Sequence, residues 1–177
     1  MIRLATFGDM PRLFELFEEM HEKSVYAGEV GIDETALRSL IMDCVRRNGG
    51  QHCGSTLFLV EHSGERIEGL MIGILDRVYH FLNRLRATDL FLYCTPEAHF
   101  RASSLMIDRL TQWAVENPKV FEIYLSWTDA ISNDAERVEK LYARKGFRKC
   151  GAIWVRGLNN DDDENHPEAR PHLPCEP

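Results

Sequence analysis

A strand–helix–strand unit in the second half constrains this chain most. Residues 88–95 (TDLFLYCT) are apolar and β-rich and stop at Pro96. Residues 98–116 follow, with Leu105, Met106, Leu110 and Trp113 at helical spacing. Residues 120–127 then alternate Phe121, Ile123, Leu125 and Trp127. Two strands joined through one helix run parallel, because the helix returns the chain to the end where the first strand began. The preceding strands obey another rule. Residues 56–61 and 67–78 are separated by the short turn Ser63-Gly64-Glu65, so they form an antiparallel hairpin. Parallel and antiparallel pairs in one chain imply a twisted mixed β-sheet with helices on its faces, an α/β (α+β) architecture.

The remaining elements complete the order β-α-α-β-β-β-α-β-α-β. Residues 2–6 read as a short strand. Asp9 is placed to cap a helix that Pro11 begins and that carries Leu13, Leu16, Phe17 and Met20. Asp33 caps a second helix, with Leu37, Leu40, Ile41, Cys44 and Val45 on one face and Asn48-Gly49-Gly50 as its stop. Residues 132–144 form the last helix, with Val138, Leu141 and Tyr142 on one face, closed by Gly146. Residues 147–156 read as a final strand interrupted at Gly151. Residues 1–157 are expected to be one domain. Residues 158–177 have no hydrophobic periodicity and carry Asn159-Asn160-Asp161-Asp162-Asp163-Glu164, so they read as a disordered acidic tail.

Charge narrows the partners. The net charge of the 177 residues is −7, and residues 159–177 account for −5 of it. What is left is nearly neutral and has no basic stripe, which disfavours nucleic acid. No apolar run approaches the ~20 residues of a membrane span. Five scattered cysteines without a C-x-x-C pair, and seven histidines without H-x-x-x-H, point to neither a disulfide framework nor a metal site. Reduced thiols fit a cytoplasmic protein.

Two segments carry a resemblance. Leu90-Phe91-Leu92-Tyr93-Cys94-Thr95-Pro96-Glu97 before a helix resembles the fourth strand and following turn of the GNAT superfamily of acyl-CoA N-acyltransferases. Asn133-Asp134-Ala135, followed by Leu141-Tyr142-Ala143-Arg144-Lys145-Gly146-Phe147, resembles the Y-x-x-x-G-F close of the same superfamily. The resemblance spans residues 1–157. The stretch 89–105 is also similar to small acyltransferase-like proteins of tailed phages.

The resemblance implies acetyl-CoA as acyl donor, with no metal. Its pantetheine arm would enter a gap between the fourth and fifth strands, against backbone groups of Leu92, Tyr93 and Cys94, and would bond to Asn133. Its pyrophosphate suits a helix N-terminus, where free N–H groups point outward. Here that is the turn Ala98, His99, Phe100, Arg101, Ala102, Ser103 and Ser104. The turn departs from the family pattern R/Q-x-x-G-x-G/A. Arg101 and Ser103 stand where glycines are expected, so it is either a cradle with a cation and hydroxyls added or a lost one.

Tyr142 is the implied general acid for the departing thiolate, although its place on an apolar face equally suits packing. Asp89, reckoned by alternation to share a face with Phe91 and Tyr93, and His80 in the preceding connection are candidates for the base. A water chain is the alternative to both. His21, Glu22, Tyr26 and Glu29 fall on the acceptor side.

The implied function is N-acetyl transfer to a primary amine, on a small molecule or a protein, by direct attack in a ternary complex. The alternative is a catalytically weak GNAT-fold module that binds a protein partner. A homodimer stays open. The turn at residues 98–104 discriminates the two readings.

Overall fold

The structure is a computed structural model and describes residues 1–49, 54–64, 66–127, 134–151 and 153. Met1–Phe147 forms one compact unit and Arg148–Pro177 another. Asn133 and the tail expected at 158–177 lie outside the described residues.

Among the described residues, five strands form one sheet in sequence order: β1 (Ile2–Leu4), β2 (Thr56–Ser63), β3 (Arg66–Arg77), β4 (Leu85–Cys94) and β5 (Val120–Tyr124). Neighbours are antiparallel except β4 and β5, which are parallel. The helices are α1 (Met10–Glu22), α2 (Glu34–Arg46), α3 (Ala102–Val115) and α4 (Ala135–Arg144). This is the mixed sheet expected from the sequence.

Both faces of the central strands are covered. On one face, Leu13, Leu16 and Phe17 of α1 and Ile41 of α2 pack on Phe58, Val60, Leu70 and Ile72. On the other, Met106, Ile107, Leu110 and Trp113 of α3 pack on Leu57, Leu59, Met71 and Ala87. Burial on both sides explains why β2 and β3 read as continuous apolar runs. The α3 helix sits close on β3 because Gly73 lacks a side chain. A Cβ there would stand 2.3 Å from Leu110 Cδ1.

Four expectations are corrected. The third helix starts at Ala102, not 98, because residues 98–101 are held in turns (Ala98 N–H to Thr95 O, Ala102 N–H to His99 O). Phe147–Gly151 are not in a strand; of the remainder of that expected strand only Ile153 is described, and it is not in a strand either. Asp33 caps α2 as expected, through the Ala36 amide at 2.9 Å. Asp9 does not cap α1. Its carboxylate is held instead by both terminal nitrogens of Arg3, at 2.7 and 2.6 Å, and by the Thr6 amide and hydroxyl. The fourth is the face of Asp89, which pairs with Gly73 rather than following the alternation of Phe91 and Tyr93.

The Arg3 guanidinium lowers the Asp9 carboxyl to about 2, with help from the Thr6 bonds. A carboxyl depressed on folding contributes stability above its unfolded value, near 3.8, and loses it as pH falls toward 2. Arg3 is one-third exposed, so solvent screens the pair. Asp9→Asn is therefore expected to destabilise the fold by about 1–2 kcal/mol at pH 7 and hardly at all near pH 2, read by urea unfolding at both values.

Candidate active site

The site begins where β4 and β5 part. Their pairing runs from Leu85↔Val120 to Thr88↔Tyr124 and stops, while β4 continues to Cys94. The Thr95 amide donates to Glu68 O on β3 at 2.8 Å. In an antiparallel pair the backbone groups of successive residues turn alternately toward and away from the partner. Tyr93 therefore also faces β3, and Leu92 and Cys94 present N–H and C=O to the open edge. Of the three residues proposed to meet the pantetheine arm, Leu92 and Cys94 offer peptide groups there. Tyr93 offers none and lends its buried ring to the opposite core.

A β-bulge decides which side chains reach the gap. Gly73 pairs with Asp89 but Ile72 pairs with Phe91, so Leu90 is an extra residue. Strict alternation would put Asp89 on the face of Phe91 and Tyr93. The bulge resets the alternation, and Asp89 instead shares the α3 face with Ala87. That is also the face against which Tyr142 packs.

Tyr142 is fixed by the end of α4. Gly146 has φ +84°, which glycine tolerates best. The Gly146 amide donates to Ala143 O and the Phe147 amide to Tyr142 O, both at 3.0 Å. This Schellman close brings the Phe147 ring to 6.2 Å from the Tyr142 ring. The Y-x-x-x-G-F spacing is thus a helix end that sets the direction of the tyrosine.

Ser126, just past β5, joins the two groups. Its amide and its hydroxyl both donate to Asp89 Oδ1, at 2.8 and 3.1 Å. Its carbonyl accepts from the Tyr142 hydroxyl at 2.9 Å. Burial raises the Asp89 carboxyl above its ordinary range, and the Ser126 bonds pull the other way. Burial also pushes the Tyr142 phenol up to about 12, with the negative Asp89 adding to it. A carboxylate inclined to accept a proton thus lies beside a phenol that stays protonated at neutral pH. Sequence reading missed Ser126; the only signal was a small polar residue ending an alternating strand.

The other candidates fall elsewhere. His80 is in an exposed turn before β4, 3.2 Å from Asp76, whereas α3 begins beyond the other end of that strand. It is not brought to Asp89 and Tyr142. At the far end of β4, Arg101 occupies the N-cap position of α3 and its side chain is exposed. Phe100 is 86% exposed, and the His99 ring lies 4.5 Å from it. His99 Nδ1 accepts from the Arg101 amide at 3.3 Å. The Ser103 hydroxyl meets the Cys94 sulfur at 3.4 Å, which ties the first turn of α3 to the end of β4. That leaves the Ser103 and Ser104 amides, the Ser104 hydroxyl and Arg101 to receive an anion. Beneath this turn the Thr95 hydroxyl donates to Glu68 Oε2 at 2.8 Å, and Arg12 reaches the same oxygen at 3.2 Å.

Two open surface grooves lie outside the cluster of Asp89, Ser126 and Tyr142. One, of about 370 Å³, runs between α3, β5 and Phe147. The other, of about 460 Å³, is bounded by Phe7, Met10, Phe14 and Arg38. Neither is lined by Asp89, Ser126 or Tyr142. Among the described residues, no group of His, Cys, Asp and Glu could hold a metal ion, and no helix is long and apolar enough to cross a membrane.

Solved structures share this fold. A predicted acetyltransferase from Clostridium acetobutylicum, solved with acetyl-CoA, matches with a TM-score of 0.64 at 16% identity, over 89% of this chain and 96% of that one. An aminoglycoside 6'-N-acetyltransferase from Acinetobacter haemolyticus matches at 0.61 and 12% identity, over 91% and 99%. A transcriptional regulator from Bacillus halodurans matches at 0.62 and 18% identity, over 89% and 99%. No protein-family profile and no curated protein matches the sequence. At such identities the likeness establishes the fold.

Proposed function

We propose that this chain, which has the fold of GNAT acetyltransferases, transfers an acetyl group from acetyl-CoA to a primary amine by direct attack. The observation that carries this reading is the meeting of Asp89, Ser126 and Tyr142 where β4 and β5 part.

The open edge at Leu92 and Cys94 would take the peptide-like arm of the donor, and the first turn of α3 with Arg101 its pyrophosphate. Asn133 keeps the arm-binding role that its motif implies. Asp89 takes a proton from the acceptor ammonium. The neutral amine attacks the thioester carbonyl carbon and forms the C–N bond. When the C–S bond breaks, its electron pair goes to sulfur, and Tyr142 gives its phenolic proton to that thiolate. The attacking nitrogen gives its surplus proton to the tyrosinate, and Asp89 releases its own to solvent. His80 is too exposed and too far along the strand to serve as well as Asp89.

The acceptor is a small-molecule amine in this reading. A solved neighbour of the same fold holds a bisubstrate analogue in which CoA is joined to acetylneamine. The side on which His21, Glu22, Tyr26 and Glu29 stand would receive it. His21 Nε2 lies 2.6 Å from Val30 O and so pins the loop that carries Tyr26 and Glu29.

Thermal unfolding with and without acetyl-CoA or CoA tests the reading. A ligand that binds only the folded chain raises Tm by mass action. Both are expected to do so, and Arg101→Ala is expected to weaken both by about 1–3 kcal/mol, the size of a charge-assisted contact. If neither shifts Tm at saturating concentration, the turn at residues 98–104 is a lost cradle and a protein-binding role takes precedence.

A further inference from the structure

We propose that Ser126 is a positioning residue that makes one coupled unit of the base Asp89 and the acid Tyr142, so that proton uptake by the first prepares proton release by the second. The inference rests on the transferase reading above. Its geometry does not. One residue donates twice to a single carboxylate oxygen, at 2.8 and 3.1 Å, and accepts from the phenol at 2.9 Å. The three groups come from β4, the segment after β5, and α4. No shared element aligns them, and Ser126 bridges them.

Among the described residues, the surroundings on this face are largely apolar. At Gly73, opposite Asp89, α3 presents Leu110 and Trp113, and β4 adds Ala87 on the same face. α4 presents Leu141 beside Tyr142. Asp89 is the charged group that acts on the Tyr142 phenol. Across the strands, Arg86 is engaged with Glu122 and with the Tyr124 ring.

The coupling has a direction. While Asp89 is ionised, its charge disfavours a tyrosinate. Once Asp89 holds the acceptor's proton, that opposition is gone, and Tyr142 becomes a stronger acid just before the thiolate departs. The acid is thus held back until the base has acted. Ser126 keeps Asp89 able to ionise, since hydrogen bonds to a carboxylate favour its charged form.

The test uses the full chain and has one readout that needs no turnover. Carbon NMR follows the Asp89 carboxyl through a pH titration of the free protein, in the parent, Ser126→Ala and Ser126→Thr. Loss of the hydroxyl removes one of the two bonds and leaves the amide bond. The Asp89 midpoint should rise by about one pH unit in Ser126→Ala, the scale of one charge-assisted hydrogen bond, and return in Ser126→Thr. In the same samples the acid limb of kcat/KM should move up with it, while acetyl-CoA still raises Tm. A second arm titrates the Tyr142 phenol, which Asp89→Asn should shift down from about 12. An Asp89 midpoint unmoved by Ser126→Ala overturns the proposal, as does an acid limb that stays fixed while the midpoint moves. Absence of any donor-induced Tm shift in the parent is a different failure: it overturns the transferase reading, and with it the role of the unit in that reaction.

Discussion

Tyr142→Phe lowers the rate of acetyl transfer by at least about tenfold, equal to ~1.4 kcal/mol of barrier, and leaves donor binding nearly unchanged. The substitution keeps the ring, its packing on the α3-side cluster and its approach to Phe147. It removes the one proton the side chain can give. General acid catalysis is typically worth about 10²–10⁴-fold, so tenfold is the lower bound for a direct role. The lost bond to the Ser126 carbonyl is partly exposed and costs little stability. An acceptor panel of polyamines, aminoglycosides, amino acids and lysine peptides precedes the measurement. Turnover by the variant equal to that of the parent would make Tyr142 a packing residue, with water protonating the thiolate.

Gly73→Val is expected to cost about 2–3 kcal/mol of stability, the range of an overpacked core. Strand propensity favours valine, so the sign is decided by space. The new Cβ would meet Leu110 Cδ1 at 2.3 Å, and Leu110 of α3 is fully buried. Leu110 can yield only by rotating into neighbours such as Trp113. Leu110→Ala alone leaves a cavity and costs about 2–5 kcal/mol. Combined with Gly73→Val, it should cost clearly less than the sum, because each change relieves the other. Urea unfolding of the four proteins measures this. Strict additivity would show that α3 does not bear on β3 at Gly73. Since Gly73 also faces Asp89 across the strands, the single variant should disturb the site as well as the core.

The sequence carried the parallel crossover because it is a matter of order and alternation. Strand, helix and strand follow one another, and Phe91, Leu92 and Tyr93 fill two cores in turn. The cap at Asp33 and the close at Gly146 were legible for the same reason, being local. The face of Asp89 was not. A bulge arises from the register of one strand on another, and nothing in Asp89-Leu90-Phe91 marks Leu90 as the extra residue. Asp9 misled because its partners, Arg3 and Thr6, compete with the helix it precedes, and composition cannot rank them. Ser126 was invisible because its role depends on two residues, at positions 89 and 142, that meet only in the folded chain.

Amide NMR of the labelled chain, titrated with acetyl-CoA, tests most directly whether the parting of β4 and β5 is a donor site. If the open edge takes the pantetheine arm and the first turn of α3 takes the pyrophosphate, the amides of Leu92, Cys94, Ala102, Ser103 and Ser104 shift together along one saturation curve. Those of the paired region, from Leu85 to Thr88 and from Val120 to Tyr124, shift far less. Saturable shifts confined to another surface, such as the groove beside Phe7 and Phe14, or no shifts at all, would contradict the assignment of the donor site to β4 and α3.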